Sequence, residues 1–150
     1  RNNALSLTKN GEKLLEGPQD IRFIQIFNYL TYRFHWGNFY HLQDEGKCGQ
    51  FGWAYSLVLL SKYGAKPQKS EFYSLKLIRA FEEELWDAHQ KGKEGEVIHE
   101  YHHAYEVRFF EYFADWFGLV NIERNRDYII SYFDQLSITK SELFDQLFSA

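Results

Sequence analysis

Apolar residues recur every three or four positions near the start of the chain, which is the spacing of an amphipathic helix. From Asp20 onward the repeating positions are Phe23, Phe27, Leu30 and Phe34. A shorter helix is predicted before them, because the Thr8 hydroxyl can accept a free backbone N–H at its start and Gly17–Pro18 stops it. Residues 36–50 are rich in Gly, Asn and Asp and are predicted to form a loop.

Residues 51–63 are apolar on nearly every face and too few to span a membrane, so they predict a central buried helix. We expect Gly64 to end it in a left-handed turn, followed by Pro67. Ser70 is predicted to cap the next helix, and residues 87–96 to form a polar loop. The apolar stripe of that second helix is Phe72, Leu75, Ile78, Phe81, Leu85 and Trp86.

A third helix is predicted over 97–117, ending at Gly118. Its predicted core face is Ile98, His102, Tyr105, Phe109, Phe113 and Trp116, and its predicted outer face contains Glu100, Ala104, Glu111 and Asp115. The pattern then changes to alternating apolar residues, which favour two short strands, Leu119–Ile122 and Tyr128–Phe133, around a polar turn at 124–127. Thr139 and Glu142 predict a capping box for a last helix, whose apolar residues are Leu143, Phe144, Leu147 and Phe148.

The expected fold class is therefore mostly α with a small antiparallel β-hairpin. Three helices followed by a hairpin, with the segment WFGLVNIERNRDYIISYF at the junction, resemble the winged-helix (winged helix-turn-helix) superfamily. The resemblance implies a winged-helix domain over 46–150, preceded by a helical segment over 1–45. The motif LSLTK at 5–9 is similar to LSITK at 136–140, which implies that the first segment is the tail of an upstream winged helix. The overall pattern is also similar to uncharacterised C-terminal regions of bacterial mobile-element-associated proteins, which implies no activity.

Composition narrows the function classes. The net charge of −4 argues against a broadly basic nucleic-acid binder, although a local basic patch stays open. The single Cys48 excludes an intrachain disulfide and is expected to be a buried thiol, which suits a reducing cytoplasm. Neither a membrane span nor a secretory leader is predicted. The chain begins at Arg1 and contains no Met, so we expect a fragment or a processed form.

The residues His99-Glu100-Tyr101-His102-His103 match the helical zinc motif H-E-x-x-H. His99 and His103 are four apart, so they share a helix face and could bind one metal, with His89 as a further ligand. Glu100 would then be the general base of a zinc hydrolase. Against this, position 109 is Phe, where a third ligand is needed in one zinc-protease pattern. His102 is expected to be a hydrogen-bonded core residue instead.

A DNA-binding interpretation places the third helix in the major groove and the hairpin on the phosphate backbone. Its candidate phosphate contacts are Arg124, Arg126, Lys140 and Arg108. Carboxylates predicted on the exposed side of the third helix, including Glu106 and Glu111, would repel phosphates. The two arginines at the predicted turn could also be ordinary solubilising charges.

Aromatic residues make up 19% of the chain and are typical anchors of protein interfaces. Phe34, Trp36, Phe39 and Tyr40 are candidates for an exposed contact patch, or for a satellite core under the loop. No glycine-rich phosphate loop or G-x-S-x-G elbow is present, so no cofactor is predicted. The sequence favours a non-enzymatic binding module that contacts a protein partner or self-associates, with no membrane role. The alternatives are a DNA-binding regulator and a metal site or zinc hydrolase.

Overall fold

A computed structural model describes residues 6–40, 47–89, 94–124 and 136–148. The chain divides into two compact units, Arg1–Phe34 and His35–Ala150. The predicted boundary at 45/46 falls inside the second unit. Among the described ranges, no helix is both long enough and apolar enough to cross a membrane.

The first unit contains two helices, α1 (Lys9–Glu16) and α2 (Gln19–Tyr32). The Thr8 hydroxyl accepts a hydrogen bond from the Gly11 backbone N–H at 3.1 Å, so the predicted cap is confirmed. Phe23 and Phe27 stack on α2 with 6.1 Å between their ring centroids. Residues 6 and 7, within the first copy of the repeated motif, are not in a strand.

The second unit begins with helical turns where a loop was predicted. A 3₁₀ turn spans Trp36–Asn38, and a short kinked helix, α3, spans Lys47–Gln50. The central helix α4 (Trp53–Tyr63) follows a left-handed Gly52, φ 77°. A Cβ at Gly52 would lie 2.6 Å from Leu77 Cδ1, so both backbone conformation and space require glycine there.

The prediction for Gly64 is wrong, because its φ is −74° and no left-handed turn forms. A Cβ at Gly64 would lie 3.1 Å from the Lys140 Cβ, and the Gly64 carbonyl accepts a hydrogen bond from the Lys140 N–H at 2.9 Å. Such a Cβ would also lie 2.6 Å from the Leu60 carbonyl oxygen. The glycine is therefore explained by two close approaches, to the preceding helical turn and to a strand, rather than by a left-handed backbone conformation.

The single helix predicted from Ser70 is two helices, α5 (Ser70–Ala80) and α6 (Glu82–His89), which break at Phe81. The Phe81 ring packs edge-on against Phe51 and Tyr55, at 5.0 and 5.4 Å between centroids. Ser70 does not cap α5. It is the first helical residue, and its hydroxyl donates to the Glu106 carboxylate. The loop prediction for 87–96 is correspondingly wrong at both ends, since α6 reaches His89 and the next helix starts at Glu94.

The third long helix is α-helical over Glu94–Tyr105 (α7) and continues as a π-helix over Glu106–Ala114. A backbone bond to the residue five positions earlier, from Asp115 N to Phe110 O at 2.8 Å, marks the wider turn. The added residue changes which side chains face inward after it, and Trp116, predicted on the core face, is 62% exposed. Ala104, predicted on the outer face, lies in α7 before the π-helix and is fully buried. Gly118 ends this helix in a left-handed conformation, as predicted.

A three-stranded antiparallel sheet completes the second unit. Strands β1 (Gln68–Lys69), β2 (Val120–Arg124) and β3 (Leu136–Lys140) lie in the order β1-β3-β2, with Ile122 opposite Ile138. The predicted strand 128–133 lies outside the described residues. Residues 137–139, predicted to lead into the last helix, instead lie within β3, which pairs with both β1 and β2.

The last helix, α8 (Glu142–Phe148), is capped by Ser141 and not by Thr139. The Ser141 Oγ accepts a hydrogen bond from the Phe144 N–H at 3.1 Å, whereas Thr139 lies within β3. The predicted capping box is therefore wrong by two residues. The fold class is confirmed as mostly α with a small antiparallel sheet, to which β1 adds a third strand.

Candidate interaction surface

The aromatic patch predicted around residues 34–40 is mostly interior. Trp36 is fully buried, with its ring 4.8 Å from that of Phe113 and 6.5 Å from that of Phe109. Phe39 is half-buried and stacks on Tyr112 at 5.2 Å and an interplanar angle of 11°. The exposed-patch hypothesis is wrong for Trp36, and the alternative of a core under this segment describes it.

The two remaining members of that patch are also partly covered. Tyr40 is half-buried and meets the His103 ring edge-on at 4.9 Å. Phe34 belongs to the first unit, where it is half-buried and lies 6.4 Å from the Tyr29 ring. None of the four predicted contact residues is therefore freely exposed.

Arg108, predicted to face a phosphate, is fully buried in the π-helix. Its Nε and Nη2 donate to the Tyr40 carbonyl at 3.1 and 2.6 Å, and its Nη1 donates to the Cys48 carbonyl at 3.1 Å. A Cβ at Gly49 would lie 3.3 Å from the Arg108 Cβ, so the chain passes directly over this side chain. Arg108 holds two backbone segments together, and the prediction that it contacts nucleic acid is wrong.

The other cations predicted to contact DNA either form ion pairs with carboxylates or lie outside the described residues. Arg124 lies on β2, where its guanidinium donates to the Glu111 carboxylate at 2.7 Å. The Lys140 ammonium donates to the Asp145 carboxylate at 2.5 Å. Arg126 lies outside the described residues. The charges of Arg124 and Lys140 are therefore largely compensated by local carboxylates.

The histidine side chains of the motif on α7 differ in their exposure to solvent. His99 is exposed and His103 is half-buried. Among the described residues, no cluster of three His, Cys, Asp or Glu side chains is arranged to hold a metal ion. The side chain of His89 is not among those described. Geometry therefore adds no third ligand to the predicted pair His99 and His103.

His102 is half-buried and hydrogen-bonded through Nδ1 to the Ser74 Oγ, as expected of a core histidine. Ser74 also donates to the Glu71 carbonyl at 3.0 Å, so its single proton is used there and the His102 Nδ1 is the donor. The His102 Nε2 is buried without a partner in the described part of the chain. Burial lowers the pKa of His102, an effect that Glu71 opposes and His99 reinforces.

Cys48 is buried, with 1% of its surface exposed, and its thiol donates to the Tyr101 carbonyl at 3.2 Å. The prediction of a buried thiol is confirmed. The hydroxyl of Tyr105, in the adjacent core, donates to the Ser56 Oγ at 3.0 Å, and burial raises the pKa of that phenol.

An apolar groove lies between α4 and α8 in the second unit, and we call it the α4 groove. It encloses about 580 Å³ and is lined by Trp53, Ala54, Leu57, Val58, Ser61, Lys62 and Phe148. Val58 is 59% exposed, although the sequence predicted that this helix would be buried on nearly every face. The opposite face of α4 is buried through Ser56, Leu59 and Leu60. Sequence reasoning missed the groove because apolar residues on all sides of a helix do not reveal which side stays uncovered.

Two lysines meet an aromatic pair where α4 ends. The ammonium groups of Lys62 and Lys76 lie 5.3 and 4.8 Å from the centre of the Tyr63 ring. Lys76 lies 4.8 Å from the Phe72 ring, which packs edge-on against Tyr63 at 5.2 Å. We call Lys62 and Lys76 the lysine rim. Lys62 belongs to both features, so the α4 groove runs into the lysine rim.

Comparison of the chain with protein-family models, with curated proteins and with solved structures finds no match in any of the three.

Proposed function

We propose that the second unit is a non-enzymatic protein-interaction module and that the α4 groove is its contact surface. The observation that carries the proposal is the α4 groove itself, whose apolar lining includes the exposed Val58 and the half-buried Trp53 and Phe148. Leaving apolar side chains in water forgoes about 25 cal/mol for each Å² that a partner could cover. A concave pocket lined mainly by apolar side chains is a frequent binding site, whereas single exposed apolar residues are ordinary.

The order of elements supports a winged-helix fold for this module. Three longer helices, α4, α5 and α7 with its π-helical continuation, precede the antiparallel pair β2 and β3. The exposed outer side of the third helix carries Glu100 and Asp115, and its arginine is buried. The acidic outer side and the buried arginine argue against DNA binding through the third helix, and the proposed protein contact is the α4 groove.

Photo-crosslinking tests the proposal. A photoreactive amino acid replaces Ser61, which is exposed in the α4 groove, or Glu123, which is exposed on β2. In cells that express the chain, we expect a crosslinked protein adduct from position 61, with itself or with another protein, and none from position 123. Val58→Glu should remove the adduct, because a carboxylate in an apolar groove is costly to desolvate.

Three results would contradict an interaction through the α4 groove. They are absence of an adduct at position 61, equal adducts at both positions, or an adduct that survives Val58→Glu. The variant must retain its fold for the last result to count, which a thermal unfolding curve checks.

DNA binding is a second candidate, favoured by one observation. Between residues 61 and 80 the chain carries five cations and one carboxylate, although its overall net charge is −4. Anisotropy of a random-sequence duplex at about 50 and about 200 mM salt tests it, because phosphate-driven binding weakens steeply over that range. Binding at the lower salt that is lost at the higher would support this candidate, and absence of binding at both would remove it.

A further inference from the structure

The apolar wall of the α4 groove continues into the lysine rim along one helix face. Ala54, Val58 and Lys62 are spaced four residues apart on α4 and are all exposed. Residues at this spacing lie in line along a helix surface. An occupant that lies along α4 would therefore meet apolar side chains first and a cation at the end of the helix.

The cations at this end have no carboxylate partner within the described residues. Lys62 and Lys76 contact aromatic rings, and neither forms an ion pair there. Lys66 and Lys69 are exposed in the segment that follows α4. Glu71 is the single carboxylate between residues 61 and 80. Residues 61–80 thus carry an excess of positive charge on a chain whose net charge is negative.

We propose that the occupant of the α4 groove is an acidic amphipathic segment of another protein. Two or three apolar side chains of that segment fill the space between Val58 and Phe148. One or more of its carboxylates face the lysine rim. The proposal rests on the proposed function and adds to it the chemistry of the partner.

Charge complementarity and groove composition together favour a peptide over a nucleic acid. A phosphate backbone would satisfy the lysines but has no apolar side chains for the wall of Trp53, Val58 and Phe148, and its charge would be costly to desolvate there. The carboxylates of a short segment interact mainly with the nearby lysines, because charges beyond a Debye length of about 8 Å at physiological salt are screened. A long polyanion would extend onto the acidic remainder of the chain.

Selection from a displayed library of random 16-residue peptides tests the partner chemistry. The targets are the full chain, Val58→Glu, the double variant Lys62→Glu/Lys76→Glu, and the control Lys13→Glu on α1, which lies in the first unit. We expect the wild-type chain and the control to enrich peptides with apolar residues at helical spacing next to a run of Asp or Glu. A selected acidic peptide should bind the double variant about tenfold or more weakly, since rim charges set specificity and on-rate.

The outcomes separate the two proposals. Two results contradict the acidic partner but are consistent with an interaction module that uses the α4 groove. In one, the enriched peptides need Val58 but lack acidic residues, and in the other they bind the double variant as tightly as the wild-type chain. Peptides whose binding ignores Val58→Glu, or no enrichment at all, contradict both. A 20-base-pair duplex serves as a further probe, and DNA binding that is lost in the double variant assigns the lysine rim to nucleic acid and overturns the peptide partner.

Discussion

Arg108 bonds to the backbone at Tyr40 and Cys48 beside Trp36, and we call this part of the core the junction. The junction and the α4 groove show two opposite uses of residue type in the same unit. At the junction a charged side chain is fully buried and bonded to carbonyls of Tyr40 and Cys48. In the groove an apolar side chain, Val58, is 59% exposed. The difference shows that polarity alone does not sort residues between core and surface. Burial of a charge requires satisfied hydrogen bonds, and exposure of an apolar residue requires only that nothing covers it.

The largest expected effect tests whether the junction is truly core. Trp36→Ala should lower the free energy of unfolding by about 4 kcal/mol, because it removes a fully buried ring packed on Phe113 and Phe109. Urea unfolding followed by circular dichroism measures the change. Trp116→Ala is the matched control at a residue that is 62% exposed, and it should cost less than about 1 kcal/mol. Equal costs for the two tryptophans would contradict the description of Trp36.

The next effect concerns the buried charge. Arg108→Leu should lower the free energy of unfolding by about 3 kcal/mol, because it leaves the Tyr40 and Cys48 carbonyls without their donor. The same substitution at Arg79, which is exposed on α5, should change stability by less than about 0.5 kcal/mol. If the two variants unfold at the same urea concentration, Arg108 does not hold the junction together.

A smaller effect appears as pH dependence. The pKa of His102 is lower in the folded chain than its ordinary value of 6.5, chiefly through burial, so the unfolded chain binds more protons in the window just below that value. The contribution of His102 is therefore complete above about pH 6.5 and is lost as pH falls through the folded pKa. Thermal melting between about pH 7.5 and about pH 5 should show this loss, and His102→Gln should reduce it. His35→Gln, at an exposed position, is the control substitution, and equal slopes in His102→Gln and in this control would assign the effect elsewhere.

The smallest change in the free energy of unfolding is expected at Val58, which is exposed in the α4 groove. Val58→Glu should change the free energy of unfolding by no more than about 0.5 kcal/mol, because the side chain already faces water. Leu59→Glu is the matched substitution one residue along α4, at a side chain with 4% exposure, and should prevent stable folding. Comparable damage from both would mean that the α4 groove is part of the core, and the interaction proposal would lose its basis.

Local signals made much of the helical framework predictable. Thr8 with Gly17–Pro18 bounded α1, and Gly118 marked the end of the third helix, because caps and left-handed glycines act over a few residues. The break at Phe81 and the strand Leu136–Lys140 could not be predicted in this way. Both depend on partners distant in sequence, namely Phe51 and Tyr55 for the break and β1 and β2 for the strand.

The candidate site was less predictable than the fold. Arg108 lies in a π-helix, which the sequence did not predict because a pattern of three- and four-residue spacing assumes that every turn is α-helical. The lysine rim joins residues from α4 and α5 through one tyrosine ring, which no linear spacing indicates. The excess of cations over residues 61–80 was present in the sequence and is the signal that could have indicated this end of the groove.

Trp53 lies between the α4 groove and the core. It lines the groove, is half-buried, and its ring lies 6.3 Å from that of Phe113. An occupant of the groove would displace water from the exposed edge of this indole while the other edge stays fixed against phenylalanine. Indole emission depends on the polarity around the ring, so the chain carries an optical reporter of its own occupancy. Association could then be titrated by intrinsic fluorescence without attaching a dye to either molecule.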